Sequence, residues 1–112
     1  MPNRSNEVQH VNINVATSGT VPLVTGVAGM DVLYINLLLI VNGANVVTLE
    51  DTNGTDRMGP LSFAPNGGVS APDSGVGWQR SAEGQGVNIR TATNARVGGS
   101  CSYRLVPHWM RF

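Results

Sequence analysis

The chain has no lysine, one cysteine and few charges of either sign. Asp, Glu, Lys and Arg make up 12% of its 112 residues, about half of the roughly 25% of an ordinary globular domain. All seven cations are arginine, balanced by seven acids. No broad field is left to attract phosphate backbones or anionic lipid, so nucleic acid is not an expected partner. Long apolar runs are also missing. The longest, residues 37–41 inside the strand-like stretch 30–41, is far below the roughly 20 residues of a membrane-spanning helix, and no membrane insertion is expected. Residues 1–9 are polar and lack the apolar segment of a secretory signal, which predicts assembly in a cytoplasm. Cys101 has no second cysteine to pair with in the chain, which excludes an internal disulfide and fits a reducing compartment. The length suits one domain spanning residues 1–112, too short for separate substrate and cofactor domains.

What is present is a surface of Asn, Thr, Ser and Gly in place of the mixed charges that keep a lone domain dispersed. Such a surface suits being covered, so the first expectation is a part of an assembly.

Alternation of apolar and polar residues dominates. Val11, Ile13 and Val15 point one way and His10, Asn12 and Asn14 the other, the period of a half-buried strand. Residues 20–25 give a short strand whose Pro22 cannot donate to a ladder and therefore belongs on an edge. In residues 30–42, Leu33, Ile35, Leu37, Leu39 and Val41 line one face and Val32, Tyr34, Leu38 and Ile40 the other. Both faces are expected to be covered. A helix competes for this run, but its Val, Ile and Tyr content and the Asn42–Gly43 stop favour a strand. Residues 45–52 and 58–64 form a hairpin across Asn53–Gly54. Residues 65–77, rich in Pro, Asn, Gly and Ser, read as an ordered loop, and residues 76–82, 86–92 and 97–106 as three further strands. In the last, Cys101, Tyr103 and Leu105 face inward. About eight short strands without a helix predict an all-β, antiparallel two-sheet sandwich, best matched by a jelly roll. An immunoglobulin-like topology is second, lacking the paired cysteines around a tryptophan.

Signals for chemistry are weak. Glu50, Asp51, Asn53, Thr55 and Asp56 resemble a calcium loop, but Gly54 comes too early and Arg57 follows, so the stretch reads as a turn and no metal is expected. His10 and His108 lack a second ligand at metal spacing and read as solvated or interface histidines. Cys101 reads as a small core hydrophobe. Glu50 and Glu83, which could be offered as a glycosidase pair, read as solvated strand ends. The glycine-rich stretches lack the strand and helix context of a phosphate loop. No cofactor is expected, and no enzyme. Trp78 reads as core. The tail, residues 107–112, holds His108, Trp109, Arg111 and Phe112 and either packs on the domain or contacts a partner. The polar arm, residues 1–9, reads as a segment that orders on a partner.

Residues 57–78 read RMGPLSFAPNGGVSAPDSGVGW, followed by SAEGQGVNI and VGGSCSYRLVP. The succession of Gly-Pro strand, Pro-Asn-Gly-Gly loop, Gly-Trp strand, Glu-Gly turn and Gly-Gly-x-x-x-Tyr strand resembles small capsid decoration (cement or staple) proteins of tailed bacteriophages. The resemblance covers residues 32–107 and leaves arm and tail outside it. It implies a jelly roll that clamps neighbouring major capsid subunits on the outer surface of a virion. A homodimer is expected first, as the commonest closed symmetry, and a trimer second. Arg4, Arg57, Arg96 and Arg111 are the expected ion-pair forks, since arginine suits interface carboxylates. A carbohydrate-binding or adhesion module of a phage fibre, using Trp78 or Trp109 as a platform, is the alternative.

Overall fold

The computed structural model describes residues 7–110, and within them the alternating segments become nine strands and no helix. They are β1 (Gln9–Val15), β2 (Gly19–Val24), β3 (Met30–Val41), β4 (Asn45–Asp51), β5 (Asp56–Phe63), β6 (Gly68–Ala71), β7 (Gln79–Arg80), β8 (Val87–Thr91) and β9 (Val97–Pro107). One sheet has the order β1-β9-β3-β6, with β7 also on β3, and the other β2-β8-β4-β5. Every pairing is antiparallel. The fold is an all-β two-sheet sandwich.

The core follows from the period of two. Ile13, Val15, Leu37, Leu39, Val41, Val47, Leu49, Ile89 and Val97 are all buried between the sheets, each stabilising by about 1.5–3 kcal/mol through removal of apolar surface from water. Pro22 lies on β2, an edge strand, as expected. The β4–β5 hairpin closes with the Gly54 N–H donating to the Asp51 carbonyl at 2.8 Å, and Gly54 takes φ +95°. Gly99 has φ +144°, and a Cβ there would strike the Leu38 carbonyl. The second glycine of the VGGSCSY stretch thus lets β9 pack against the C-terminal end of β3, opposite Leu39.

Several expectations are corrected. The segment 65–77 contains β6, a four-residue strand, because Gly68–Ala71 can pair with Leu37–Ile40 despite its turn-like composition. The strand expected over 76–82 shrinks to β7. The arm expected over 1–9 ends sooner, since Gln9 already pairs with Tyr103, and the tail begins later, since Pro107 closes β9. The largest correction is in β3. Its register slips between Tyr34 and Asn36, leaving Ile35 as a bulged residue. Beyond a bulge the faces exchange parity. Val32 and Tyr34 therefore share the main core with Leu37, Leu39 and Val41, whereas Leu33 and Ile35 turn outward and join Val106 and Met110 in a second, smaller cluster. The face expected to be covered at its far end is open there. Leu38 is 42% and Ile40 55% exposed.

Candidate functional site

Cross-strand neighbours share a face, so the outer surface of the five-stranded sheet can be read from its register. Asn12, Ser100, Leu38 and Ser70 form one row, and Asn14, Gly98, Ile40 and Gly68 the next. His10, Ser102 and Asn36 form a third. Leu38 and Ile40 thus stand on a floor of glycine, serine and asparagine, and no neighbouring side chain is large enough to cover them. Two shallow depressions flank Ile40. One of about 210 Å³ lies towards Gly68, Val69 and Ser70, and one of about 380 Å³ towards Asn42, Asn66, Arg96 and Gly98. Arg96 is the one ionisable side chain in either lining. Apolar packing and neutral hydrogen bonding are the chemistry such a face offers.

Two of the expected interface residues lie on this face, at opposite ends of β1. His10 projects from β1 with Nδ1 2.6 Å from the Ser102 hydroxyl. Arg96 borders the larger depression, its Nη1 donating to Asn14 Oδ1 at 2.6 Å and its backbone N–H to Asn42 Oδ1 at 2.8 Å. Asn36 anchors the bulge, accepting the Ser102 N–H at 3.0 Å and donating to Asp73.

The other expected residues lie elsewhere. Arg57 is spent within the chain: Nε and Nη2 donate to the two oxygens of Asp51 at 3.0 and 2.8 Å. That hydrogen bonding holds the guanidinium above its ordinary pKa and commits its Nε–Nη2 edge within the chain. Asp51 is completely buried and also accepts the Ala82 N–H at 3.1 Å. His108 is not simply solvated, since its Nδ1 lies 3.0 Å from Asp31 Oδ1. Arg80 grips the same carboxylate at 2.6 Å and donates to the carbonyls of Pro107 and His108. This clamp fastens the chain after β9, so that Met110 packs on Leu33, Ile35 and Val106. Trp109 points away and is 76% exposed. Arg4, Arg111 and Phe112 lie outside the described residues.

Two further corrections concern buried charge and aromatic placement. Glu50 is not a solvated strand end but 5% exposed, ion-paired to Arg90, which also reaches Asp56. Asp31 and Asp51 are buried as well. Trp78 is 46% exposed rather than core, its Nε1 donating to the Pro72 carbonyl at 2.7 Å. Cys101 is buried as expected, which pushes its thiol up to about 11. Among the described residues no three His, Cys, Asp or Glu side chains gather to hold a metal ion.

Sequence reasoning missed the openness of Leu38 and Ile40. Their β-branched and leucine-rich surroundings matched a strand covered on both sides, and nothing local marked the Gly and Ser residues of β6 and β9 as their neighbours. The chain matches no known protein family, no curated protein and no solved structure.

Proposed function

We propose that this protein is a non-enzymatic virion component, a jelly roll that decorates the outer surface of a tailed-phage capsid and clamps neighbouring major capsid subunits. The observation that carries the reading is the open face of the five-stranded sheet, where Leu38 and Ile40 stand exposed among Gly, Ser and Asn. An exposed apolar patch in a neutral polar frame is a surface for a protein partner. Its asparagines and serines hydrogen-bond a neighbour without the desolvation cost of full charges.

The strand order supports the jelly-roll part. The chain changes sheet at β1–β2, β2–β3, β3–β4, β5–β6, β7–β8 and β8–β9, and stays within one only at the β4–β5 hairpin and between β6 and β7. Such winding between two sheets is what a jelly roll requires, an architecture used in viral capsids and lectins. Architecture alone does not select between those uses, and the open face favours the capsid. The exposed rings of Trp78 and Trp109 favour the second reading, a carbohydrate-binding or adhesion module.

Purified protein added to undecorated mature heads is expected to bind saturably, in fixed ratio to the major capsid protein, and to raise head resistance to heat. Leu38→Asp with Ile40→Asp is expected to abolish binding while leaving the fold intact. Absence of wild-type binding overturns the proposal, and glycan-array binding lost in Trp78→Ala replaces it with the second reading.

A further inference from the structure

We propose that two copies of this chain pair antiparallel through β1, centred on Asn12, to form a continuous sheet across the dimer. The inference starts from the sheet edges. An edge strand offers unpaired N–H and C=O groups, and proteins that stay monomeric guard such edges with proline, charge, bulges or shortness. Three sides of this sandwich are guarded. β2 carries Pro22 and a register slip beside it. β5 carries Pro60, Asp56 and Arg57 and pairs with β4 through two irregularities. On the far edge of the five-stranded sheet, β6 has four residues and β7 two.

Among the described residues, β1 alone is unguarded. Its seven residues, QHVNINV, include no proline and no Asp, Glu, Lys or Arg. Its register against β9 runs from Gln9 to Val15 without a slip. Its sole strand partner is β9, and no other hydrogen bond reaches its backbone within the described residues.

The sequence of β1 is also complementary to itself. In an antiparallel pair centred on Asn12, His10 faces Asn14 of the second copy and Val11 faces its Ile13. No charged residue of the strand meets a like charge, the arrangement that destabilises a cross-strand pair. Val11 and, on the neighbouring edge strand β2, Val21 and Leu23 pack on the core yet remain half-buried. A second sandwich alongside completes their cover, which a lone extended peptide does to a lesser degree.

The two-fold axis of such a pair stands perpendicular to the sheet, so the two outer faces look the same way. Both Leu38–Ile40 patches then belong to one surface. This specifies the homodimer of the decoration reading and gives it two linked contact sites, an arrangement that raises overall affinity by roughly 10² to 10⁴ without new contacts.

Sedimentation equilibrium on purified protein, without capsids, tests the pairing. Wild type is expected at twice the chain mass. Asn12→Glu and Asn12→Lys each place like charges face to face and are expected to weaken self-association at least fivefold with unchanged thermal unfolding of the monomer. An equimolar mixture of the two variants is expected to restore the dimer. Asn12→Cys is expected to oxidise to a covalent dimer, while Asn53→Cys in the β4–β5 turn is not. A monomeric or trimeric wild type, a dimer indifferent to Asn12→Glu, or equal cross-linking through Asn53→Cys overturns the proposal. Any of these leaves the head-binding reading standing. A dimer that fails to bind heads overturns only that reading.

Discussion

At the scale of single residues, the scarce charges are structural before they are anything else. Asp51 has no exposed surface and depends on the Arg57 fork and one backbone N–H. Removing one partner of a buried pair leaves the other uncompensated, so Arg57→Leu is expected to cost about 3 kcal/mol in urea unfolding. Unchanged stability would mean that water reaches Asp51 readily. Burial acts in the opposite sense on the neutral acids of the core. It pushes the Cys101 thiol from 9.0 to about 11 and the Tyr34 phenol up as well. The unfolded chain releases the Cys101 proton above pH 9 and the Tyr34 proton above pH 10 while the native state retains both, so stability is full below pH 9 and falls as pH rises towards 11 and beyond. The Tyr34 hydroxyl is buried without a hydrogen-bond partner among the described residues. Tyr34→Phe is therefore expected to stabilise the protein by about 1 kcal/mol and to flatten the alkaline loss, measured as unfolding midpoints between neutral and alkaline pH. Equal or lower stability at every pH would contradict the orphaned hydroxyl.

At the scale of elements, β3 decides which side chains are core and which are surface. Its alternation after the bulge predicts a sharp contrast between neighbours. Leu39→Ala is expected to cost about 3 kcal/mol through lost burial and an unfilled cavity, and Leu38→Ala less than about 0.5 kcal/mol. Similar costs at both positions would show that the face is covered in the isolated protein. Much of this was legible in the sequence. The alternation of β1, the edge position of Pro22 and the Asn53–Gly54 hairpin each follow from local chemistry that acts within a few residues. The bulge at Ile35 was not legible, because the run from Val32 to Val41 is apolar at nearly every position and alternation cannot register a slip of one. The buried carboxylates were hidden for a different reason. Asp31 and Asp51 stand beside turns, where acids are normally solvated, and their burial depends on residues brought from elsewhere: Arg80, 49 positions from Asp31, and the Ala82 N–H, 31 positions from Asp51. Of the candidate site, the neutral polar character of the surface was visible. The placement of His10 and Arg96 on one face was not, since it depends on β1 and β9 being neighbours.

At the scale of the whole molecule, the two outer faces are unequal. The four-stranded sheet carries Arg90 and Asp56 over the buried Glu50, whereas the five-stranded sheet keeps its ion-paired Asp31, Arg80 and His108 at one end of β3 and presents Leu38 and Ile40 at the other, with Arg96 at the margin. A partner bound through the charged face would be held by forces that salt screens, since the screening length shrinks from about 10 Å at 0.1 M to about 3 Å at 1 M. A partner bound through the open face would not. Head binding is therefore expected to change less than about threefold between 0.1 and 1 M salt, because apolar burial and neutral hydrogen bonds are insensitive to screening. Arg90→Gln is expected to leave binding unchanged at both salt concentrations, provided the variant remains folded by circular dichroism. Loss of affinity by more than tenfold over that salt range, or through Arg90→Gln alone, would move the contact to the four-stranded sheet and reverse the orientation of the protein on its partner.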